Sequence, residues 1–151
     1  MHRRARIVTA LLLVPSLVSC SGEGRLTKEE FVREANAVCD EFDDELADMQ
    51  PPTSTAGIRD FAERTQQLMT EALQQLRDLR PPPDDDEVVD GMLGNLERVS
   101  SLLPDLADAA EGQNLDRIQE LNGEFSSEIN DFNEAAEAYG LKVCASTSTG
   151  G

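Results

Sequence analysis

Thirty carboxylates and few other reactive side chains set the chemistry open to this 151-residue chain. The single histidine is His2, inside a leader expected to be removed, so the remaining chain carries none. That excludes Ser-His-Asp and Cys-His catalysis, Glu-x-x-His di-iron sites and His-based zinc sites. There is no glycine-rich phosphate loop. A net charge of −17 argues against nucleic acid, which needs a basic patch. What is left is carboxylate chemistry. Asp86, Asp90, Gly91 and Glu97 match positions 1, 5, 6 and 12 of a calcium loop, but Val88 and Gly94 occupy positions 3 and 9. The stretch reads better as the start of a helix. Asp40, Glu41, Asp43, Asp44, Glu45 and Asp48 crowd one segment and Asp84–Glu87 another. Such density suits weak Ca²⁺ or Mg²⁺ binding, and more ordinarily a solvated face. A glycosidase needs two singled-out acids, and nothing singles out two of the 30. No catalytic residue, cofactor or metal site is expected.

Cysteine is the other informative type, at Cys20, Cys39 and Cys144. Cys20 closes a leader. Three arginines (Arg3, Arg4, Arg6) and no acid precede an apolar run from Ile7 to Val18. The positive-then-apolar order is that of a secretory signal. The run is too short for the roughly 20 residues that span a bilayer. Its end, Leu17-Val18-Ser19-Cys20, resembles a bacterial lipobox. That resemblance implies cleavage after residue 19 and a diacylglyceryl group on the Cys20 thiol. Two acyl chains suffice for stable anchoring where one is marginal. The alternative is a plain signal peptide with a Cys at its boundary. Removing residues 1–19 takes away three arginines and no acid. It leaves 132 residues with 10 basic and 30 acidic side chains, a net charge of −20.

The elements that must position the rest are helical. Residues 20–26 read as a lipidated tether, residues 27–144 as the folded domain and residues 145–151 as a disordered polar tail. Thr27 with Glu30 forms a capping-box pattern before a stripe at Phe31, Ala35, Val38, Phe42, Leu46 and Met49. Pro51-Pro52 ends it. Ser54 or Thr55 caps a second segment with Ile58, Phe61, Leu68, Ala72, Leu76 and Leu79 on one face. After Pro81-Pro82-Pro83, the acids at 84–87 open a third segment. Its core positions are Val89, Met92, Leu96, Val99, Leu103, Leu106 and Ala110. Pro104 is expected to kink or split that helix. A fourth carries Ile118, Leu121, Phe125, Ile129, Phe132, Ala136 and Tyr139, with Gly140 placed for a left-handed cap and Leu141 as its apolar partner. No segment shows sustained alternation. The fold expected is all-α, an up-down-up-down four-helix bundle. A coiled coil between chains is the alternative, disfavoured by the Pro and Gly between segments.

In such a bundle the fourth helix ends beside the start of the first. Cys39 lies about 18 Å along the first helix from Thr27. The four residues after Gly140 reach about 13 Å, so a disulfide with Cys144 closes if the fourth helix overruns the level of Thr27. The extracytoplasmic compartment permits it. Two free thiols or intermolecular disulfides are the alternatives. Tyr139 is expected to hold its hydroxyl at the bundle end, and Asn36 to hydrogen-bond the returning tail. Tyrosinate ligation of haem under that tail is the competing reading of Tyr139.

Thr27-Lys28-Glu29-Glu30-Phe31, Ala35-Asn36-Ala37-Val38-Cys39 and the closing Tyr139-Gly140-Leu141-Lys142-Val143-Cys144 resemble a group of small secreted or lipid-anchored actinobacterial proteins. These pair an Asn-x-aliphatic-Cys near the mature N-terminus with a Tyr-Gly-x-x-x-Cys near the end. The resemblance covers about a fifth of the mature chain. It supports the Cys39–Cys144 pairing and implies no activity. Arg outnumbers Lys 11 to 2, consistent with a high-GC genome. The function expected is a lipid-anchored lipoprotein on the extracytoplasmic face of the cell membrane, acting as a non-catalytic binding or interaction module. Its partners would be the membrane, through Cys20, and a cell-envelope protein. The alternative is a surface lipoprotein that binds cations or small solutes on its acidic helix faces.

Overall fold

The computed structural model describes residues 24–146. The expected signal peptide (1–19) and the lipidation site Cys20 lie outside the described residues. So does the end of the tail, 147–151.

Four helices form an up-down-up-down bundle: α1 Lys28–Ala47, α2 Thr55–Asp78, α3 Asp86–Glu111 and α4 Leu115–Tyr139. Short 3₁₀ turns at Pro83–Asp85 and Cys144–Ser146 precede α3 and close the chain. The caps of α1 and α2 are those expected from the sequence. The Thr27 side chain accepts from the Glu30 N–H, and the Thr27 N–H donates to Glu30 at 2.9 Å, a full capping box. Ser54 caps α2 and Asn114 caps α4. Arg25 and Leu26, placed in the tether from sequence, are pinned to the bundle. Arg25 pairs with Asp86 at 2.6 Å, and the Leu26 N–H donates to the Arg80 carbonyl at 2.8 Å. Among the described residues no helix is long and apolar enough to cross a membrane.

The bundle is unequal. α3 packs closely against both α2 and α4. α1 lies along α2 and stands off from α4, which it meets through Phe31 and Lys28 on Tyr139. The seam between α1 and α4 is instead bridged by the C-terminal turn. This corrects the expected face of α2. Ala62, Thr65, Met69, Leu73 and Leu76 are its buried residues, whereas Ile58, Phe61, Leu68, Ala72 and Leu79 are half-buried. Because α2 is covered more fully by α3 than by α1, its buried arc is rotated away from the thinly covered side. On α3, Leu93 and Ala107 are buried, while Leu96 and Leu106 are half-buried.

Pro104 does not split α3, which runs unbroken from Asp86 to Glu111. Its ring is exposed, on the side where a helix meets water and freed carbonyls can be solvated. Val99, Leu103 and Ala107 hold the opposite face in the core.

Candidate functional site

The end of the bundle where the chain enters and leaves holds most of the specific contacts. The Gly140 and Leu141 N–H groups turn back onto the Glu137 and Ala136 carbonyls at 3.1 and 2.8 Å, a Schellman closure of α4. Gly140 has φ 109°, which a residue without a Cβ adopts freely. Leu141 is then buried. The chain runs back along α1, where the Val143 N–H donates to Asn36 Oδ1 at 2.9 Å. Cys144 forms a disulfide with Cys39, with Cα atoms 5.1 Å apart. α4 does not overrun the level of Thr27: its last residue, Tyr139, meets Lys28 and Phe31, and Gly140 lies beside Val32, so the returning chain starts closer to Cys39 and its short reach suffices.

Tyr139 is buried edge-on to Phe31, with ring centroids 5.9 Å apart, and the Lys28 ammonium sits 4.3 Å above its ring. Its hydroxyl donates to Asp85 Oδ2 at 2.7 Å. Burial first, then this bond and the nearby Asp85 charge, raise the phenol above its ordinary value near 10. A phenol so held keeps its proton, which opposes the tyrosinate ligand that haem binding would use. Asn36, through the Val143 N–H, and Tyr139, through Asp85, tie the chain to this part of the bundle.

The carboxylate candidates separate. The calcium-loop match from Asp86 to Glu97 is helical throughout. Asp86 is engaged by Arg25 and Glu97 by Arg77. Among the described residues no group of three or more His, Cys, Asp or Glu is placed to hold a metal ion. The acids at 40, 41, 44, 45 and 48 are exposed.

Sequence reasoning missed a hollow inside the bundle. A cavity of about 40 Å³ is walled by all four helices: Cys39 and Phe42 of α1, Met69, Leu73 and Leu76 of α2, Leu96 of α3, and Ile129 and Phe132 of α4. Every lining side chain is apolar or a disulfide sulfur. The buried polar atoms without a partner, Thr65 Oγ1 and Asn133 Oδ1, do not line it. The heptad-like spacing of Phe42, Leu96, Ile129 and Phe132 announces a core but says nothing of how completely it is filled. Chemically the space can take an apolar group and offers no partner to a proton, a metal or a nucleophile.

No protein-family model, curated protein or solved structure matches the chain.

Proposed function

We propose that this protein is a lipid-anchored extracytoplasmic lipoprotein whose acidic helical bundle is a non-catalytic binding or interaction module. The observation that carries the reading is the basic–apolar–Leu-Val-Ser-Cys leader ending at Cys20. The pinned Arg25–Leu26 segment supports it: four residues, 21–24, separate Cys20 from Arg25, a reach of at most about 18 Å. Such a tether holds the Thr27–Tyr139 end of the bundle at the bilayer and turns the α3–α4 connection outward. A charge near −20 repels the bundle from anionic lipid, so it relies on the covalent anchor rather than on surface attraction. The Cys39–Cys144 disulfide fits an oxidising compartment. Lack of histidine in the mature chain, together with carboxylates spread over exposed faces, supports recognition rather than turnover.

Fractionation of cells making the full chain tests the anchor. The unaltered protein should sediment with membranes and take up labelled fatty acid. Cys20→Ala should lose the label and, once the leader is cut, appear in the medium. A cleaved Cys20→Ala protein that stays membrane-bound overturns the anchoring. Cross-linking of the anchored protein to envelope neighbours tests the interaction module separately.

A further inference from the structure

We infer that the interior cavity and its mouth between α1 and α2 form a binding site for a small cationic amphiphile, an alkylammonium with a short apolar tail. This names a ligand class for the binding module proposed above and is independent of the anchor.

The cavity decides the tail. Its wall has no side-chain N–H or O–H group, so a water there would lack the two to four partners it needs. An alkyl segment suits it. A second hollow of about 20 Å³ adjoins it and shares Phe42 and Ala72 as a common wall. Both shared residues are half-buried, on the side that α1 covers loosely. The proposed route in runs past these two side chains.

The mouth decides the head by charge complementarity. Around the outer hollow stand Glu41 and Glu45 of α1 and Glu71 and Gln75 of α2, over Val38 and Leu68. No lysine or arginine lines it. Glu41 and Glu45 are one helical turn apart, where like charges repel, and neither forms an ion pair among the described residues. Glu71 accepts from the Gln67 amide at 3.2 Å, a neutral partner. The three carboxylates are not placed to converge on a metal ion. An ammonium is less exacting, since it can reach separate carboxylates with separate N–H groups, and the Phe42 ring offers it a further attractive face. An anionic head of equal length would add to the repulsion, and a neutral one would leave it in place.

Calorimetric titration of the full chain carrying Cys20→Ala tests this without detergent. The probes are ethyl-, propyl-, butyl- and hexylammonium chloride, with the alcohols and carboxylates of equal length. Saturable one-site binding of the ammonium series is expected. Affinity should rise about fourfold per added methylene until the cavity fills, then flatten. Binding should weaken with salt, the alcohols should bind less tightly and the carboxylates not at all. Glu71→Gln and Glu45→Gln, both at the solvent-facing rim, should each weaken binding about two- to fivefold. Ala72→Phe, which fills the shared wall, should abolish it, with far-ultraviolet dichroism confirming that the variant is folded. No saturable heat with any ammonium overturns the site. Equal affinity for ammonium and alcohol, or full affinity in both glutamine variants, overturns the assigned head. Cross-linking to an envelope protein is read separately, so failure here leaves that reading standing or falling on its own.

Discussion

Both α3 and α4 end in the same backbone closure, built on different residues. At the end of α4 the left-handed position is Gly140, φ 109°. At the end of α3 it is Gln113, φ 52°, whose N–H donates to Ala110 O while the Asn114 N–H donates to Ala109 O. The first closure is backed by a disulfide, a buried tyrosine on Asp85, the Arg25–Asp86 pair and a full capping box. The second is backed by small side chains, Ala107, Ala109 and Ala110, with Leu121 of α4, and by exposed ion pairs from Arg59 and Arg117. Exposed pairs of this kind add little, because water and salt screen them. Order is therefore concentrated at the end that the proposed tether holds, and the α3–α4 end should open first.

The disulfide contributes most to that contrast. It closes a loop with a sequence separation of 105 residues, worth roughly 4–5 kcal/mol in the chain-entropy account. Cys39→Ala/Cys144→Ala should lower the thermal midpoint by well over ten degrees for a domain of this size. Hydrogen exchange should show the loss first in α1, which has no direct backbone contact with α4 to replace the link. If α1 protection is unchanged in the double variant, the turn does not hold α1 in place.

The two ends differ in how far they are legible in the sequence. Thr27, Glu30, Asn36, Cys39, Tyr139, Gly140 and Cys144 announce themselves because each acts through a type-specific bond or conformation: a cap, an amide, a thiol, a φ value. Asp85, as the Tyr139 partner, does not, since one acid among 30 carries no mark of what will face it. On α2 the apolar spacing points one face away from the buried one, because periodicity reports an apolar arc and not which neighbour covers it. Met69 and Leu73 are buried, while Leu68 and Ala72 face thinly covered space. The cavity is illegible for the same reason. It is a property of how far α1 stands from α4, set by the C-terminal turn rather than by any residue in the wall.

Gly140→Ala should come next in size. A Cβ there meets nothing nearer than Val32 Cγ2 at 4.0 Å, so the cost is backbone strain at a φ beyond the left-handed well, about 2–3 kcal/mol, less about 0.5–1 kcal/mol of chain freedom that alanine does not have to lose, a net of about 1–2 kcal/mol. Chemical denaturation would read it as a lower midpoint at unchanged slope. A neutral result would mean that the closure tolerates a Cβ and that the contrast between the two helix ends does not rest on glycine.

Tyr139 follows. Loss of its hydroxyl bond in Tyr139→Phe should cost about 1–1.5 kcal/mol at neutral pH. The sign with pH is fixed by the raised phenol: the unfolded chain ionises near 10 and the folded one higher, so the hydroxyl's contribution is full below 10 and lost as pH rises above it. The chain has one Tyr and no Trp, so tyrosinate absorbance reports this residue alone. In the folded protein it should appear only well above its ordinary range, together with the loss of helical dichroism. Tyrosinate forming at the ordinary phenol value with the helices intact would remove Asp85 as a partner of consequence.

The smallest effect has the opposite sign. Gln113 is exposed and non-glycine in the left-handed region, a conformation that costs an L-residue roughly 1–2 kcal/mol. Gln113→Gly removes that strain but adds about 0.5–1 kcal/mol of chain freedom to lose on folding. A net gain of about 0.5–1 kcal/mol is expected from the difference of these two contributions. Gly112, one residue earlier, does not supply this relief, because its φ of −72° is open to any residue. The gain should slow exchange at the N–H groups of Gln113 and Asn114 and leave those of Gly140 and Leu141 unchanged. Were the gain to spread equally to both ends, the bundle would open as one unit, and the difference in residue at the two closures would have no local consequence.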